Sequence, residues 1–291
     1  MTSSLRPALP LPAGHTLTLV IGAPRSGTTL LGGLLSEDAE AYPMLPECTS
    51  ITQIVQHYHH FIHYGDAQRL AAYAVSPERL APPYQQMVAD LVGIALSHFE
   101  GQPYRHLVLK DPELTLLADE IPRFFGDEAK VVCVIRDPRA VVASMLKVWR
   151  KKRTAAWQQF RSTPGWATLG HYLQEYTQSR SLAGMVFNYY WRLHQSALFQ
   201  QGRIHMVRYE AIIAGDESEF QRLEAFLGYP CGRKGFGKVH FEFDRSDKTF
   251  SDNYGKAINP EQSNFRDTLG PVTVWRLQRL FGGFNQTYRW W

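Results

Sequence analysis

The residues from Gly22 to Thr29, Gly-Ala-Pro-Arg-Ser-Gly-Thr-Thr, have the types and the spacing of a loop that binds an anion. An apolar, β-branched run from Thr16 to Ile21 precedes them, and a helix-compatible segment from Thr28 to Leu35 follows. The amide groups that open such a helix lack partners within it and lie at the positive end of its dipole. The sequence therefore predicts that this loop holds a phosphate-like group.

The same loop differs from the loop of a nucleoside triphosphatase in the position of its cation. Its spacing, G-x-x-x-x-G, begins like a P-loop, but Thr28-Thr29 stands where a P-loop has Lys-Ser/Thr. A nucleoside triphosphatase uses that lysine on the β- and γ-phosphates. Because Arg25, inside the turn, is the only cation of the loop, we expect it to bind a phosphate but not a triphosphate.

The elements that must position this loop follow the pattern of an α/β protein, in which short apolar runs alternate with helix-compatible sequence. Strands are predicted at Thr16–Gly22, Ala41–Leu45, His106–Lys110, Lys130–Ile135 and Arg203–Val207. We expect a single domain over residues 1–291, a P-loop-like three-layer fold with a central, mostly parallel sheet. Helical insertions at about 46–101 and 150–201 are expected to form an acceptor cap, and about 234–259 is expected to be a loop.

The carboxyl ends of the predicted strands bring several polar segments to one edge of the sheet, where open α/β folds bind ligands. These segments are Gly22–Thr29, Pro46–Glu47, Lys110–Asp111 and Arg136–Asp137. Arg136 ends a strand, and Ser144 lies about two turns into the helix that Asp137-Pro138 is predicted to start. A guanidinium and a hydroxyl so placed bind a second phosphate. The alternative is an arginine in a surface ion pair and a solvated serine.

These segments together resemble the sulfotransferases that use 3′-phosphoadenosine 5′-phosphosulfate (PAPS). The loop from Gly22 to Thr29 is similar to their 5′-phosphosulfate loop, and Arg136 with Ser144 is similar to their 3′-phosphate site. Leu109-Lys110-Asp111-Pro112 and Val207-Arg208-Tyr209-Glu210 resemble the branch that includes the tyrosylprotein sulfotransferases. The resemblance extends over most of the chain.

The resemblance implies which residues bind the nucleotide. Those expected at the 5′-phosphosulfate are Pro24, Arg25, Ser26, Gly27, Thr28 and Thr29. Those expected at the 3′-phosphate are Arg136 and Ser144. Further candidates around the nucleotide are Tyr209, Ser251 and Lys256.

The resemblance also implies that Glu47 is the general base and that Lys110 stabilises the group in transfer, and Arg25 supplies a second cation for it. The chemistry agrees, because an in-line displacement at sulfur needs a base for the acceptor's proton and cations where charge develops. Since a sulfuryl group carries less negative charge than a phosphoryl group, we expect that no metal is required. Two alternatives stay open: Glu47 as a helix-start residue, and Lys110 paired with Asp111 or Glu113.

Four histidines lie close together in the first insertion: His57, His59, His60 and His63. On a helix, His59 and His63 lie one turn apart and share a face. Metal sites need further converging ligands, and no HExxH motif or equivalent accompanies these histidines. The sequence therefore assigns no metal ligand, and we expect a polar face that lines the acceptor pocket or lies in solvent.

Composition limits the partners and the location. In a chain of 291 residues, 44% hydrophobic residues are enough for a sizeable core, and a net charge of +4 favours anionic ligands. The dense basic face of a nucleic-acid binder is missing from the sequence. No stretch has the length of a membrane span or of a signal peptide. We therefore expect a cytoplasmic protein that binds neither nucleic acid nor membrane.

The sequence thus predicts a PAPS-dependent sulfotransferase that modifies a hydroxyl or amine of a low-mass metabolite, such as a natural product. The segment Leu45–Thr49 lacks the paired acidic and following arginine residues of the tyrosylprotein enzymes, which favours a metabolite over a peptide tyrosine. A carbohydrate is a further alternative acceptor. Two rival functions are a P-loop kinase or NTPase, disfavoured by Thr28, and a non-catalytic nucleotide-binding protein, disfavoured by Arg25, Glu47 and Lys110.

Overall fold

The computed structural model of the chain describes residue 9 and residues 11–65, 67–73, 76–160, 166–233 and 264–291. Ser251 and Lys256, two candidates for nucleotide binding, lie outside these described residues, as does the loop predicted at 234–259. Within the described part of the chain, no helix combines the length and the apolar character that crossing a bilayer requires.

A four-stranded sheet in the order β2-β1-β3-β4 lies at the centre of the described fold. Its strands are β1 (Thr16–Gly22), β2 (His106–Lys110), β3 (Lys130–Ile135) and β4 (Ile204–Arg208). Every pairing in it is parallel. Because β2 and β3 pair with opposite edges of β1, the strand order reverses next to β1, and such a switch point is where doubly wound sheets bind ligands.

Helices fill the connections between the strands. Before β2 they are α1 (Thr28–Leu35), α2 (Thr49–Tyr64), α3 (Ala67–Tyr73) and α4 (Pro77–Ser97). Between β2 and β4 there are a 3-10 segment (Pro112–Glu120), α5 (Ile121–Phe125), α6 (Pro138–Phe160), α7 (Trp166–Gln195) and α8 (Ala197–Gln200). After β4 there are α9 (Tyr209–Ala214), α10 (Glu217–Leu227) and two C-terminal helices, Pro271–Leu280 and Gly282–Tyr288.

The sheet separates two apolar clusters, because successive side chains of a strand face opposite sides. Leu19 and Ile21 of β1 belong to the larger cluster, which includes buried residues of α2, α4, α6 and α7. Val20 belongs to the smaller cluster, which includes buried residues of α1 and α10. Both faces of the sheet are therefore covered by helices, and the predicted three-layer α/β arrangement is confirmed.

The strand predicted at Ala41–Leu45 is wrong. Only isolated bridges form there, at Ala41, which pairs in parallel with His106, and at Met44. Pro43, which has no N–H to donate, interrupts the pairing after the amide of Tyr42 has donated to the His106 carbonyl oxygen at 3.0 Å. The segment instead leads to Cys48, whose amide donates to the Lys110 carbonyl oxygen at 3.0 Å. This bond places Glu47 beside the carboxyl end of β2.

Candidate active site

The loop between β1 and α1 requires glycine at two positions. Gly22 has a φ of 145° and Gly27 a φ of 114°, a backbone region that side-chain-bearing residues rarely adopt. A Cβ atom at Gly22 would lie 2.6 Å from the Val134 carbonyl oxygen, and one at Gly27 would overlap the Tyr209 ring. The loop is therefore packed tightly between β3 and the start of α9.

The N-terminus of α1 has the features of an anion-binding site. Its N-cap is Gly27, no side chain caps it, and its first turn holds no acidic residue. Within the described part of the chain, the first amides of the helix therefore have no capping side chain. The hydroxyl of Ser26 is buried and has no hydrogen-bond partner among the described residues. Unsatisfied amides, a free hydroxyl and the helix dipole together favour a phosphate or sulfate at this point.

Arg25 connects this loop to the helix that follows β3. Its φ of 69° is uncommon for a residue with a side chain, and such backbone conformations cluster at functional loops. Its Nε donates to the Ser144 hydroxyl at 3.3 Å. The loop's cation and the serine of α6 are therefore neighbours, as their assignment to one nucleotide requires.

Arg136, directly after β3, lies against the same loop. It is 8% exposed, and its Nη1 donates to the Arg25 carbonyl oxygen at 3.1 Å. Its guanidinium carbon lies 4.0 Å from the centre of the Tyr209 ring. Its Nε is buried and has no hydrogen-bond partner in the part of the chain that the structure describes. Arg136 therefore has an N–H group left to donate to a ligand.

The alternative that Arg136 forms a surface ion pair does not match the structure, because Arg136 is buried. The Asp137 carboxylate instead pairs with Arg139, at 2.7 Å between Oδ2 and Nη2, and both residues are buried. Asp137 also accepts from the Arg139 amide at 2.8 Å at the start of α6, which matches the predicted N-terminal cap. The neighbouring carboxylate is thus paired with Arg139.

Three further residues hold these segments in place, in roles that the sequence did not predict. The Tyr190 hydroxyl accepts from the Arg136 amide at 3.1 Å and donates to the Arg136 carbonyl oxygen. Glu210 accepts from the Asp137 amide at 2.8 Å, and the Thr115 hydroxyl accepts from the Gly22 amide at 2.7 Å. Tyr190 belongs to an aromatic-rich helix, whose sequence pattern does not distinguish a core residue from a site residue. Glu210 and Thr115 are distant in sequence from their partners.

Lys110 and Glu47 form a pair at the end of β2. Lys110 is 3% exposed, and its Nζ lies 3.4 Å from Glu47 Oε1, whereas the Glu47 side chain is 44% exposed. No ion pair of Lys110 with Asp111 or Glu113 is found among the described residues. Asp111 instead accepts from the Glu113 amide at 2.9 Å, and the Glu113 carboxylate accepts from the Tyr189 hydroxyl.

The position of Glu47 does not match the helix-start alternative. α2 begins at Thr49 with Cys48 as its N-cap, and no side chain caps that end. The Glu47 carboxylate contacts the lysine of the neighbouring strand instead. Glu47 is therefore an accessible carboxylate beside a buried cation.

The stem of Lys110 packs beneath α1. A Cβ atom at Gly32 would lie 3.1 Å from Lys110 Cδ, so α1 lies close to this side chain. Burial lowers the pKa of Lys110, and the Glu47 carboxylate acts in the opposite direction. In the register of the sheet, Lys110 lies opposite Val20, close to the loop that ends β1. The pair thus belongs to the same edge of the sheet as the anion loop.

The structure brings most of the predicted site residues together. The hydrogen bonds, the cation–π contact and the close packing described above connect five of them: Arg25, Ser144, Arg136, Tyr209 and Gly27. The same loop and first helical turn also contain Pro24, Ser26, Thr28 and Thr29. The pair of Glu47 and Lys110 lies at the adjoining strand end.

Comparison with known proteins agrees with this architecture. The sulfotransferase domain of the olefin synthase from Synechococcus PCC 7002 is 18% identical, with 93% of this chain and 97% of that one covered and a TM-score of 0.50. The sulfotransferase domain from the curacin biosynthetic pathway is 14% identical, with 92% of this chain and 98% of that one covered and a TM-score of 0.57. Sulfotransferase STF9 from Mycobacterium avium is 14% identical, with 95% of this chain and 77% of that one covered and a TM-score of 0.51.

These likenesses establish a shared fold, and the P-loop-like α/β fold predicted from the sequence is confirmed. No curated protein sequence matches the chain significantly. The sequence profile of the Sulfotransferase family, however, matches residues 18–232. That match includes the anion loop, the pair of Glu47 and Lys110, and Arg136 with Ser144. The chain therefore belongs to the sulfotransferase family.

Proposed function

We propose that this protein transfers the sulfuryl group of PAPS to a hydroxyl or amine of a low-mass metabolite, with Glu47 as the general base. The observation that carries the proposal is the 3.4 Å approach of Lys110 Nζ to Glu47 Oε1 beside the anion loop. An accessible carboxylate and a buried ammonium at one strand end can respectively take a proton and neutralise developing charge.

The residues of the loop fit the two anionic groups of PAPS. The buried Ser26 hydroxyl and the first amides of α1 suit the 5′-phosphosulfate, and the Nε of Arg136 suits the 3′-phosphate. Ser144 accepts a hydrogen bond from Arg25 and still has its own proton to donate to a phosphate oxygen. One nucleotide with two anionic groups would accept hydrogen bonds from both the Ser26 hydroxyl and the Nε of Arg136. PAPS supplies the activated sulfuryl group and is consumed in each turnover.

The chain's own residues perform three tasks in the transfer. Glu47 accepts the proton of the acceptor as the acceptor's oxygen or nitrogen forms its bond to sulfur. Lys110 and Arg25 offset charge on the transferring group and on the phosphate oxygen whose bond to sulfur breaks. The products are the sulfated acceptor, 3′-phosphoadenosine 5′-phosphate (PAP) and a protonated Glu47, which returns its proton to solvent.

A metabolite is the acceptor class that we propose. Two of the proteins that share the fold are, by name, domains from a biosynthetic pathway and from an olefin synthase. This supports a biosynthetic acceptor over a peptide tyrosine or a carbohydrate. Labelled PAPS tested against phenols, alcohols, amines, sugars and tyrosyl peptides identifies the class, and transfer to tyrosyl peptides alone would contradict the proposal.

The base is tested with Glu47→Gln, and Glu40→Gln is its matched control. The two glutamates have nearly the same side-chain exposure, 44% and 45%, but Glu40 pairs with Arg105 near the opposite end of β2. We expect Glu47→Gln to lower turnover about 100-fold or more while PAP affinity stays unchanged. Glu40→Gln should leave both quantities unchanged. Near-normal turnover of Glu47→Gln would remove Glu47 from the role of base.

The donor is tested by calorimetric titration of PAP into Arg136→Gln. We expect affinity to fall about 10-fold or more, because charge-assisted hydrogen bonds contribute about 1.5–3 kcal/mol. The control Arg203→Gln removes an arginine just before β4, which pairs with Asp127 at 3.1 Å at the opposite edge of the sheet. Unchanged affinity in Arg136→Gln, or Mg²⁺-dependent ATP turnover by a protein that does not bind PAP, would overturn the assignment of PAPS.

A further inference from the structure

A second cluster of ionisable side chains lies on α2, roughly 15 Å along the helix from its start beside Glu47. His59 Nδ1 lies 2.9 Å from Glu120 Oε1, and His63 Nε2 lies 3.4 Å from the same oxygen. The two imidazole rings are 4.2 Å apart between their centres. One ligand atom from each residue therefore meets the others within 4.8 Å.

We propose that His59, His63 and Glu120 bind a divalent transition-metal ion of the zinc type. Two histidines one turn apart on a helix and a carboxylate from another element are a ligand set that Zn²⁺ accepts, with water in the fourth position. Metal–ligand bonds of about 2.0–2.2 Å in a tetrahedron separate the ligand atoms by about 3.4 Å. The two separations from Glu120 Oε1, 2.9 Å and 3.4 Å, need little adjustment to meet this value.

The carboxylate of Glu120 is held in a fixed position by a second partner. Its side chain is 8% exposed, and its other oxygen, Oε2, lies 3.5 Å from Arg123 Nε. The guanidinium therefore engages one oxygen, and Oε1 is left to the two histidines. A carboxylate fixed by a second partner in this way is typical of a metal ligand. Without a metal, the cluster is a hydrogen bond from His59 and a close contact of His63 at the same Glu120 oxygen, and that alternative predicts no specific binding of Zn²⁺.

The proposed ion would join two elements that follow the candidate catalytic pair closely in sequence. α2 begins two residues after Glu47, and the 3-10 segment that ends at Glu120 begins two residues after Lys110. A metal bound between His63 and Glu120 therefore stabilises the packing of α2 on that segment. It acts on stability and takes no part in the transfer itself, so the proposal is independent of the role of Glu47.

The test uses full-length, untagged protein that has been treated with EDTA, dialysed and titrated with ZnCl₂ in a calorimeter. We expect one equivalent to bind and the melting temperature to rise. His63→Ala removes a ligand whose side chain is 50% exposed, so the fold is retained, and we expect affinity to fall at least tenfold. The matched control is His60→Ala, since His60 is exposed on the same helix but lies outside the cluster.

Two further measurements separate this site from other sources of binding. Glu120→Gln keeps the shape of the side chain and should also weaken Zn²⁺ binding, and CoCl₂ should give the visible absorption of a tetrahedral site. A second group, Asp38, Glu40 and His106, also lies within 4.8 Å, so Glu40→Gln tests whether the ion binds there instead. Absence of a bound equivalent in the wild type, its retention in His63→Ala, or its loss in Glu40→Gln would each overturn the proposal.

Discussion

The guanidinium of Arg136 is stacked on the ring of Tyr209, with 4.0 Å between the guanidinium carbon and the ring centre. The same ring lies where a Cβ atom at Gly27 would otherwise fit. Tyr209 therefore connects the end of β4 with both the anion loop and the arginine after β3. Stacking occupies the face of a guanidinium and leaves the N–H groups at its edge available to a ligand. The ring is thus a positioning element for Arg136.

Removal of this ring is expected to weaken nucleotide binding. We predict that Tyr209→Leu lowers PAP affinity about 3- to 30-fold, which corresponds to a cation–π contribution of about 0.5–2 kcal/mol. Tyr209→Phe keeps the ring and should bind PAP like the wild type. Calorimetric titration measures both variants. Equal weakening in the two would show that the hydroxyl, rather than the stacked ring, supports the site.

The packing of Tyr209 on Gly27 gives a second prediction. Gly27→Ala should lower the free energy of unfolding by about 1–3 kcal/mol, because the new Cβ meets the ring at an unfavourable backbone conformation. PAP affinity should fall as well, since the ring must move. Urea denaturation and calorimetry measure the two effects.

Gly93 provides the control for that substitution. It is exposed within α4, and a Cβ atom there would meet nothing within 4 Å. We expect Gly93→Ala to stabilise the protein by about 0.5–1 kcal/mol, because alanine is the better helix former. A Gly27→Ala variant as stable as Gly93→Ala would show that the loop adapts and that the contact with Tyr209 is not restrictive.

The fold was largely predictable because its signals are local. Apolar runs such as Lys130–Ile135 identify buried parallel strands, and Asp137-Pro138 marks the start of a helix. The wrong strand, Ala41–Leu45, has the composition of a strand, but Pro43 interrupts the pairing, and only isolated bridges form at Ala41 and Met44. Local composition therefore predicts which segments are apolar, and backbone hydrogen bonding decides which of them extend the sheet.

The partners of the charged residues were not predictable, although their positions at the strand ends were. Lys110 had Asp111 and Glu113 as near neighbours in sequence, and it pairs with Glu47 instead. His59 and His63 were recognised as one helix face, but the carboxylate that completes their cluster is Glu120, on another element. Such pairings depend on side-chain placement between distant segments, which a single sequence does not encode in any short pattern.

Burial of Lys110 gives a prediction about pH. Because burial lowers the pKa of Lys110 in the folded state below its usual value of 10.5, the unfolded state binds more protons between the two values. The stability of the wild type therefore rises with pH in that window. Lys110→Met lacks this group, so we expect it to be at least as stable at neutral pH, with a difference that narrows toward pH 10.5.

The catalytic activity of Lys110→Met should fall, although its stability should not. We expect Lys110→Met to lower turnover about 100-fold or more, since the charge at the transferring group is lost. Urea denaturation at several pH values, together with turnover at neutral pH, separates the two effects. A variant that loses stability equally at all pH values while it retains turnover would assign Lys110 a packing role alone.

The pair of Asp137 and Arg139 gives the last prediction, which concerns stability. Both side chains are at most 12% exposed, and Asp137 Oδ2 lies 2.7 Å from Arg139 Nη2. The guanidinium carbon of Arg139 also lies 4.3 Å from the centre of the Trp291 ring. Asp137→Ala leaves this guanidinium buried without its carboxylate. We therefore expect a loss of about 3–5 kcal/mol in the free energy of unfolding. Asp127→Ala, which breaks an exposed pair with Arg203, should lose less than about 1 kcal/mol.

The double variant Asp137→Ala/Arg139→Met distinguishes an unpaired buried charge from a general packing defect. Replacement of both charges by apolar side chains should recover much of the stability that Asp137→Ala loses, because no buried charge is left without a partner. Since Arg136 bonds to the Arg25 carbonyl oxygen and stacks on Tyr209, the PAP affinity of the double variant should match that of the wild type. A double variant that recovers stability but binds PAP more weakly than the wild type would instead show that Asp137 holds Arg136 in its binding position.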